Sequence, residues 1–157
     1  MKKTLNNVNL WIVGLFFIFT IPMVTASPLK MIGDSFADSH QGTEGDDYLE
    51  GSNENDNIES GDGDDNVLGF DDDDNIESGD GDDNNAGQGG DDNIESGDGD
   101  DFNVGGDGDD NIESGEGNDS LIGNEGADEF NCGDGEDVIL DYNEEEGDKK
   151  SDDCESF

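Results

Sequence analysis

Ser60-Gly-Asp-Gly-Asp-Asp-Asn-Val-Leu68 is followed directly by GFDDDDNIE over residues 69–77, then by SGDGDDNNA over 78–86 and GQGGDDNIE over 87–95. These four blocks of nine belong to a series of eleven that runs from Gly42 to Leu140, 99 residues, with no insertion or deletion. The sixth residue of every block is Asp: Asp47, Asp56, Asp65, Asp74, Asp83, Asp92, Asp101, Asp110, Asp119, Asp128 and Asp137. The fourth is Gly except at Glu54 and Asp72, and the eighth is bulky and apolar except at Asn85 and Asn103. A register held this long outranks local propensity in deciding the fold.

Each block has two halves. Its first six residues are mostly Gly, Asp, Asn and Ser, the residues of turns. Its last three, such as Asn57-Ile58-Glu59, alternate polar, apolar, polar, which is the period of a short strand with one side chain facing inward. Turn, strand, turn, strand makes a coil of 18 residues, and the sequence carries that longer period. Ser60, Ser78, Ser96 and Ser114 open alternate blocks, whereas the intervening blocks 2, 4, 6 and 8 end in Asn-Ile-Glu. One inner row is then Ile58, Ile76, Ile94, Ile112 and Phe130, and the other is Leu49, Val67, Asn85, Asn103, Leu121 and Ile139. Two readings of the Asn pair stay open. Either the amides stack as a ladder, or the register slips locally and Ala86, Phe102 and Val104 take part in packing.

The 157 residues make room for one domain. They carry 46 acids against five Lys, a net charge of −41, and only 28% hydrophobic residues. Such a composition by itself predicts disorder, because too little apolar surface is available to offset chain entropy. The charge excludes nucleic acid as a partner and repels anionic membranes. The natural partner is a cation, and crowded carboxylates favour a hard, oxygen-seeking ion such as Ca²⁺.

The blocks follow the nonapeptide pattern G-G-x-G-x-D-x-U-x, with U bulky and apolar, and on these residues the chain resembles the hemolysin-type (RTX) calcium-binding repeat family. The resemblance implies an all-β fold, a parallel β-roll (right-handed parallel β-helix) of about 5.5 coils of 18 residues. It also implies Ca²⁺ ions clamped between position-six carboxylates two blocks apart, with loop carbonyls completing the shell. The pairs on one flank run Asp47/Asp65 to Asp119/Asp137, and on the other Asp56/Asp74 to Asp110/Asp128, so up to about nine ions are expected. Glu54, Phe70 and Asp72 depart from the motif and put the sites of Asp56 and Asp74 in doubt. Asp64, Asp82, Asp100 and Asp109 are expected to face solvent and raise the local negative potential. One apolar side chain per nine residues is a poor core, so the chain is expected to be expanded without Ca²⁺ and to fold on binding it.

The rest of the chain is read more briefly. Lys2 and Lys3, an apolar run from Leu10 to Ile21, Pro22, and Val24-Thr25-Ala26 make residues 1–26 a secretory signal peptide. The alternative is an uncleaved anchor, since the 17 residues from Leu10 to Ala26 are at the short limit for a membrane span. Residues 27–41 form a linker or N-terminal cap, and the lone His40 is given no role beyond an ordinary surface residue. Residues 141–157 are an acidic C-terminal tail. Cys132 and Cys154 in an exported chain predict a disulfide; a metal or intermolecular thiol pair is the alternative. Asn118-Asp119-Ser120 is a glycosylation sequon, but it lies inside a turn expected to hold metal. Val67 stands where an EF-hand would require Gly, which rejects that motif. No catalytic constellation is visible, so the chain is read as not an enzyme. Proteins of the resembled family often add a catalytic or toxin domain and leave the cell through a C-terminal signal; this chain departs from both habits. Two functions follow: a secreted or cell-surface calcium-dependent module, structural or adhesive, with an unnamed surface or matrix partner; or a disordered acidic cation buffer or mineral-binding chain.

Overall fold

A computed structural model describes residues 30–32 and 39–156. The expected signal peptide, 1–26, and residues 27–29 and 33–38 of the segment after it lie outside the described residues. Two parallel sheets make up the fold. The first contains β1 (Lys30–Ile32), β3 (Tyr48–Glu50), β5 (Asn66–Asp71), β7 (Asn84–Gly89), β9 (Phe102–Asp107), β11 (Ser120–Glu125), β13 (Val138–Ile139) and β15 (Glu155–Ser156), in that order. The second contains β2 (Ser39–Gln41), β4 (Asn57–Asp62), β6 (Asn75–Asp80), β8 (Asn93–Asp98), β10 (Asn111–Glu116), β12 (Glu129–Asn131) and β14 (Lys149–Lys150). The chain therefore alternates between sheets at every turn, and this is the all-β parallel roll that the repeat implied. Strand partners from β1 to β13 are one 18-residue winding apart, as in Ile58↔Ile76 and Val67↔Asn85.

The core consists of the position-eight side chains of both sheets. Leu49, Ile58, Val67, Ile76, Ile94, Ile112, Leu121 and Ile139 are all fully buried, and Phe130 nearly so. Each contributes about 1.5–3 kcal/mol by leaving water. Ser60, Ser78, Ser96 and Ser114 also point inward and are fully buried. Ser60 and Ser96 hydroxyls donate to the Ser78 and Ser114 carbonyls of the next winding, and Ser114 donates to the Cys132 carbonyl. That role escapes a hydropathy reading, because a small polar residue is tolerated inside only when its hydroxyl finds an acceptor.

The Asn pair resolves as a ladder with no register slip, since Asn85 and Asn103 lie opposite one another in β7 and β9. Asn85 Nδ2 donates to Asn103 Oδ1 at 3.0 Å, and Asn103 Nδ2 donates to Ser96 Oγ at 2.7 Å. Ser78 Oγ donates to Asn85 Oδ1 at 2.7 Å, which links the two flanks across the core. Ala86 and Val104 remain on the outer face, half-buried, and Phe102 is exposed there.

Strand pairing continues beyond both ends of the repeat. His40 lies opposite Ile58 at the head of the Ile row. It is buried, and neither ring nitrogen has a hydrogen-bond partner. This differs from the surface placement expected of a lone His, and the cause is its position-eight register. At the other end Lys150 lies opposite Phe130, and Glu155 opposite Val138, so the acidic tail adds a strand to each sheet. Cys132 and Cys154 form a disulfide that ties this last winding down.

Two outcomes are expected in saturating calcium. Asn103→Val alone strands the buried Asn85 amide and costs about 1–3 kcal/mol in denaturant unfolding, whereas Asn85→Val/Asn103→Val recovers most of that loss; equal costs would show the pair to be uncoupled. Replacing both cysteines by Ser opens a link across 22 residues and costs about 3 kcal/mol, with the fastest amide exchange appearing in 141–156.

Candidate metal centre

The turns between the sheets place the position-six aspartates in two columns. Each such Asp comes just before a strand and is pinned by its neighbours in adjacent windings. Its Oδ1 accepts the backbone N–H of the Asp 18 residues earlier: Asp65 from Asp47 at 2.7 Å, Asp83 from Asp65 at 2.7 Å, Asp101 from Asp83 at 2.8 Å, Asp119 from Asp101 at 2.8 Å and Asp137 from Asp119 at 2.9 Å. On the other flank Asp74, Asp92, Asp110 and Asp128 accept from Asp56, Asp74, Asp92 and Asp110 at 2.8–2.9 Å. The carboxylates are therefore stacked at the strand spacing of about 4.8 Å.

The second oxygen behaves differently. Oδ2 of Asp65, Asp74, Asp83, Asp92, Asp101, Asp110, Asp119, Asp128 and Asp137 is buried and has no hydrogen-bond partner. An unpaired buried carboxylate oxygen is costly unless a cation or proton meets it. Burial accordingly pushes the carboxyls of Asp74, Asp83 and Asp110 up to about 7, and those of Asp92 and Asp101 up to about 6. Burial also raises Asp65, Asp119, Asp128 and Asp137. The two leading aspartates differ: Asp47 Oδ2 accepts from the Thr43 amide and hydroxyl, and Asp56 Oδ2 from the Ser52 amide.

At the fourth position of block 5 glycine is required by both conformation and space. Gly81 has φ +140°, and a methyl there would overlap the Gly63 carbonyl oxygen of the preceding winding. Only a residue without Cβ lets successive turns approach this closely. Block 4 keeps the turn in spite of its sequence, with Phe70 at φ +92° and Asp72 at φ +68°. Asp74 consequently presents its Oδ2 as its neighbours do. The fifth-position acids Asp64, Asp82, Asp100 and Asp109 are exposed, as the sequence suggested. Their side chains accept backbone N–H groups of the adjacent winding, as in Asp100 N–H to Asp82 Oδ1 at 3.0 Å.

The donor set suits a hard cation. No three His, Cys, Asp or Glu side chains converge on one point among the described residues, so any ion here meets stacked carboxylates from two windings and must complete its shell from backbone carbonyls. That is oxygen-only chemistry, which Ca²⁺ accepts and zinc or copper does not favour. A family model for the RTX calcium-binding nonapeptide repeat, in four copies, matches residues 32–67, 50–84 and 104–139. Those segments together span more than half of the chain.

The chain belongs to the RTX calcium-binding nonapeptide repeat family.

No curated protein and no solved structure matches it. RTX repeats bind calcium, and the roll is a structural calcium-binding fold. One residue of the RTX roll escaped the sequence reading. Asp148 is buried, and its Oδ1 accepts the Asp128 N–H at 3.2 Å, so it continues the second column. Its Oδ2 is taken by the Asn143 N–H at 2.8 Å. The only signal was an Asp twenty residues on, followed by Lys150 where an apolar residue is expected.

The raised carboxyls set a pH response for the calcium-free roll. Their folded values lie above the unfolded value of about 3.9, so the roll takes up protons that the unfolded chain does not. Their contribution to its stability is fully present below about pH 4 and is lost as pH climbs to about 7. In chelator, circular dichroism should show more strand at pH 5 than at pH 8; a flat profile would mean that these aspartates are solvated.

Proposed function

We propose that this chain is a secreted, calcium-folded structural module in which up to about nine Ca²⁺ ions lie between the position-six aspartates of successive windings. The observation that carries the reading is the set of nine buried Oδ2 atoms without a hydrogen-bond partner, arranged in two columns. Asp47 and Asp56 head the columns, and each later Asp through Asp137 would share an ion with the one before it. The bound ion supplies the positive charge that stacked, buried carboxylates need, and so couples metal affinity to folding. Glycine-rich turns supply the carbonyl oxygens. The role is structural or adhesive at the cell surface or in the medium, and not catalytic. Residues 1–26 act as the export signal and 27–41 as an N-terminal cap to the 42–140 roll, with 141–157 closing its far end.

Calcium titration by calorimetry, with circular dichroism and small-angle scattering in parallel, tests the reading. The expected result is an expanded chain in chelator that compacts cooperatively on binding about nine or fewer ions. Many weak, non-cooperative sites on a chain that stays expanded would support an acidic buffer instead. Position in the column grades the variants: Asp101→Ala removes a carboxylate shared by two pairs and should lose two ions, whereas Asp137→Ala, at the end of its column, should lose one.

A further inference from the structure

The outer faces of the two sheets are unlike. On the second sheet the ninth position is Glu59, Glu77, Glu95 and Glu113, all exposed. On the first sheet the same position is Leu68, Ala86, Val104, Ile122 and Leu140, aligned from winding to winding as Leu68↔Ala86, Ala86↔Val104 and Val104↔Ile122. Leu140 is 49% exposed, and Phe102, outward at the seventh position, is 40% exposed. The row spans four strand intervals, about 19 Å. Scattered apolar surface residues need no explanation, but a contiguous row does, above all in a chain of charge −41.

The row lies between two acidic rails. Asp64, Asp82 and Asp100 sit in the turns before β5, β7 and β9, and Asp73, Asp91 and Asp109 in the turns after them. All six are exposed, and hydrogen bonds such as Asp91 N–H to Asp73 Oδ1 at 3.0 Å hold them in line. A second copy docking face to face would set rail against rail, and an anionic bilayer meets the same repulsion. We propose that the outer face of the first sheet docks a cationic amphipathic segment of another protein, its apolar stripe on the Leu68–Leu140 row and its Lys or Arg side chains on the rails. The stripe matches a helix of about 13 residues.

The test uses the calcium-loaded protein at moderate salt and a synthetic Leu/Lys amphipathic peptide of about that length, against a Lys-only peptide of equal charge. Calorimetry is expected to give one-to-one binding at least tenfold tighter for the amphipathic peptide. Val104→Glu/Ile122→Glu adds two carboxylates, so it would strengthen a purely electrostatic contact; the proposal requires it to weaken binding at least tenfold. Glu50 holds the same position in the same sheet, and circular dichroism in calcium confirms that the variant is rolled. Phe102→Ser, which repeats the Ser120 of the next winding, is the second variant and should weaken binding too. Equal affinity for the Lys-only peptide, or binding unchanged in both variants, overturns the proposal. So does sedimentation of the protein alone as a dimer, or its flotation with phosphatidylcholine vesicles, if either is abolished by Val104→Glu/Ile122→Glu. An unfolded calcium-loaded chain would instead contradict the calcium-folding reading.

Discussion

Like charges stacked one strand apart are the constraint on which this fold depends. The roll needs aspartate at the sixth position of each block, because its Oδ1 bonds the backbone of the previous winding. The same placement buries Oδ2 with nothing to bond. A column that is bonded through one oxygen and frustrated through the other is stable only when a proton or cation joins it. The glycine-rich turns follow from this. They bring windings close enough for the carboxylates to stack, and they expose backbone carbonyls beside them. The thin core is a consequence as well: two rows of one side chain per strand are enough only if the turns contribute binding free energy.

A near-uniform repeat creates a second problem, that of register. Shifting one sheet by a whole winding would change few contacts in a row of identical Ile residues, and repeats of this kind need distinct residues to define one arrangement. The departures from consensus do this. Asn85 and Asn103 bond each other and reach Ser78 and Ser96 on the opposite flank, a pattern satisfied in one alignment only. A buried amide pair in an otherwise apolar row exchanges some stability for that uniqueness. The C-terminal end is marked in a similar way by the Cys132–Cys154 bond and by Asp141, whose carboxylate accepts from Gly123 and Asn124.

Much of the architecture was legible in the spacing. The invariant Asp, the alternating strand half and the 18-residue superperiod pointed to a coil with two flanks, the family resemblance implied that these are parallel sheets, and Ile58, Ile76, Ile94 and Ile112 pointed to an inner row that is fully buried. What escaped lies where periodicity and side-chain character disagree. His40 and Lys150 occupy apolar positions with polar side chains, so hydropathy placed them outside the roll. Asp148 is displaced by two residues and therefore falls out of frame. Phe70 and Asp72 adopt positive φ, which their residue type disfavours, because the stacked turns on either side impose the conformation. The choice between an Asn ladder and a slipped register depended on hydrogen-bond partners contributed by the other flank, which no single block contains.

The count of open oxygens follows from the turn in which each aspartate sits. A carboxylate in mid-column has a winding on both sides, so its Oδ1 is used by the winding before it and its Oδ2 is left inside its own turn without a hydrogen-bond partner. Asp47 and Asp56 differ from the other nine in that Oδ2 is satisfied within its own loop: Asp47 by Thr43, Asp56 by Ser52. Thr43 and Ser52 stand where later blocks have Gly61, Gly79 or Gly97 at positive φ, so the opening turns bend differently and return an N–H to their own aspartate. Asp148 ends the second column in the same manner, its Oδ2 closed by Asn143. Among the described residues twelve aspartates in two columns, three of them satisfied locally, thus leave nine unsatisfied oxygens, a number far below the abundance of acid. The many exposed carboxylates add charge without adding positions of this kind. A chain that merely stored cations would need acid density but no ordered columns of this kind.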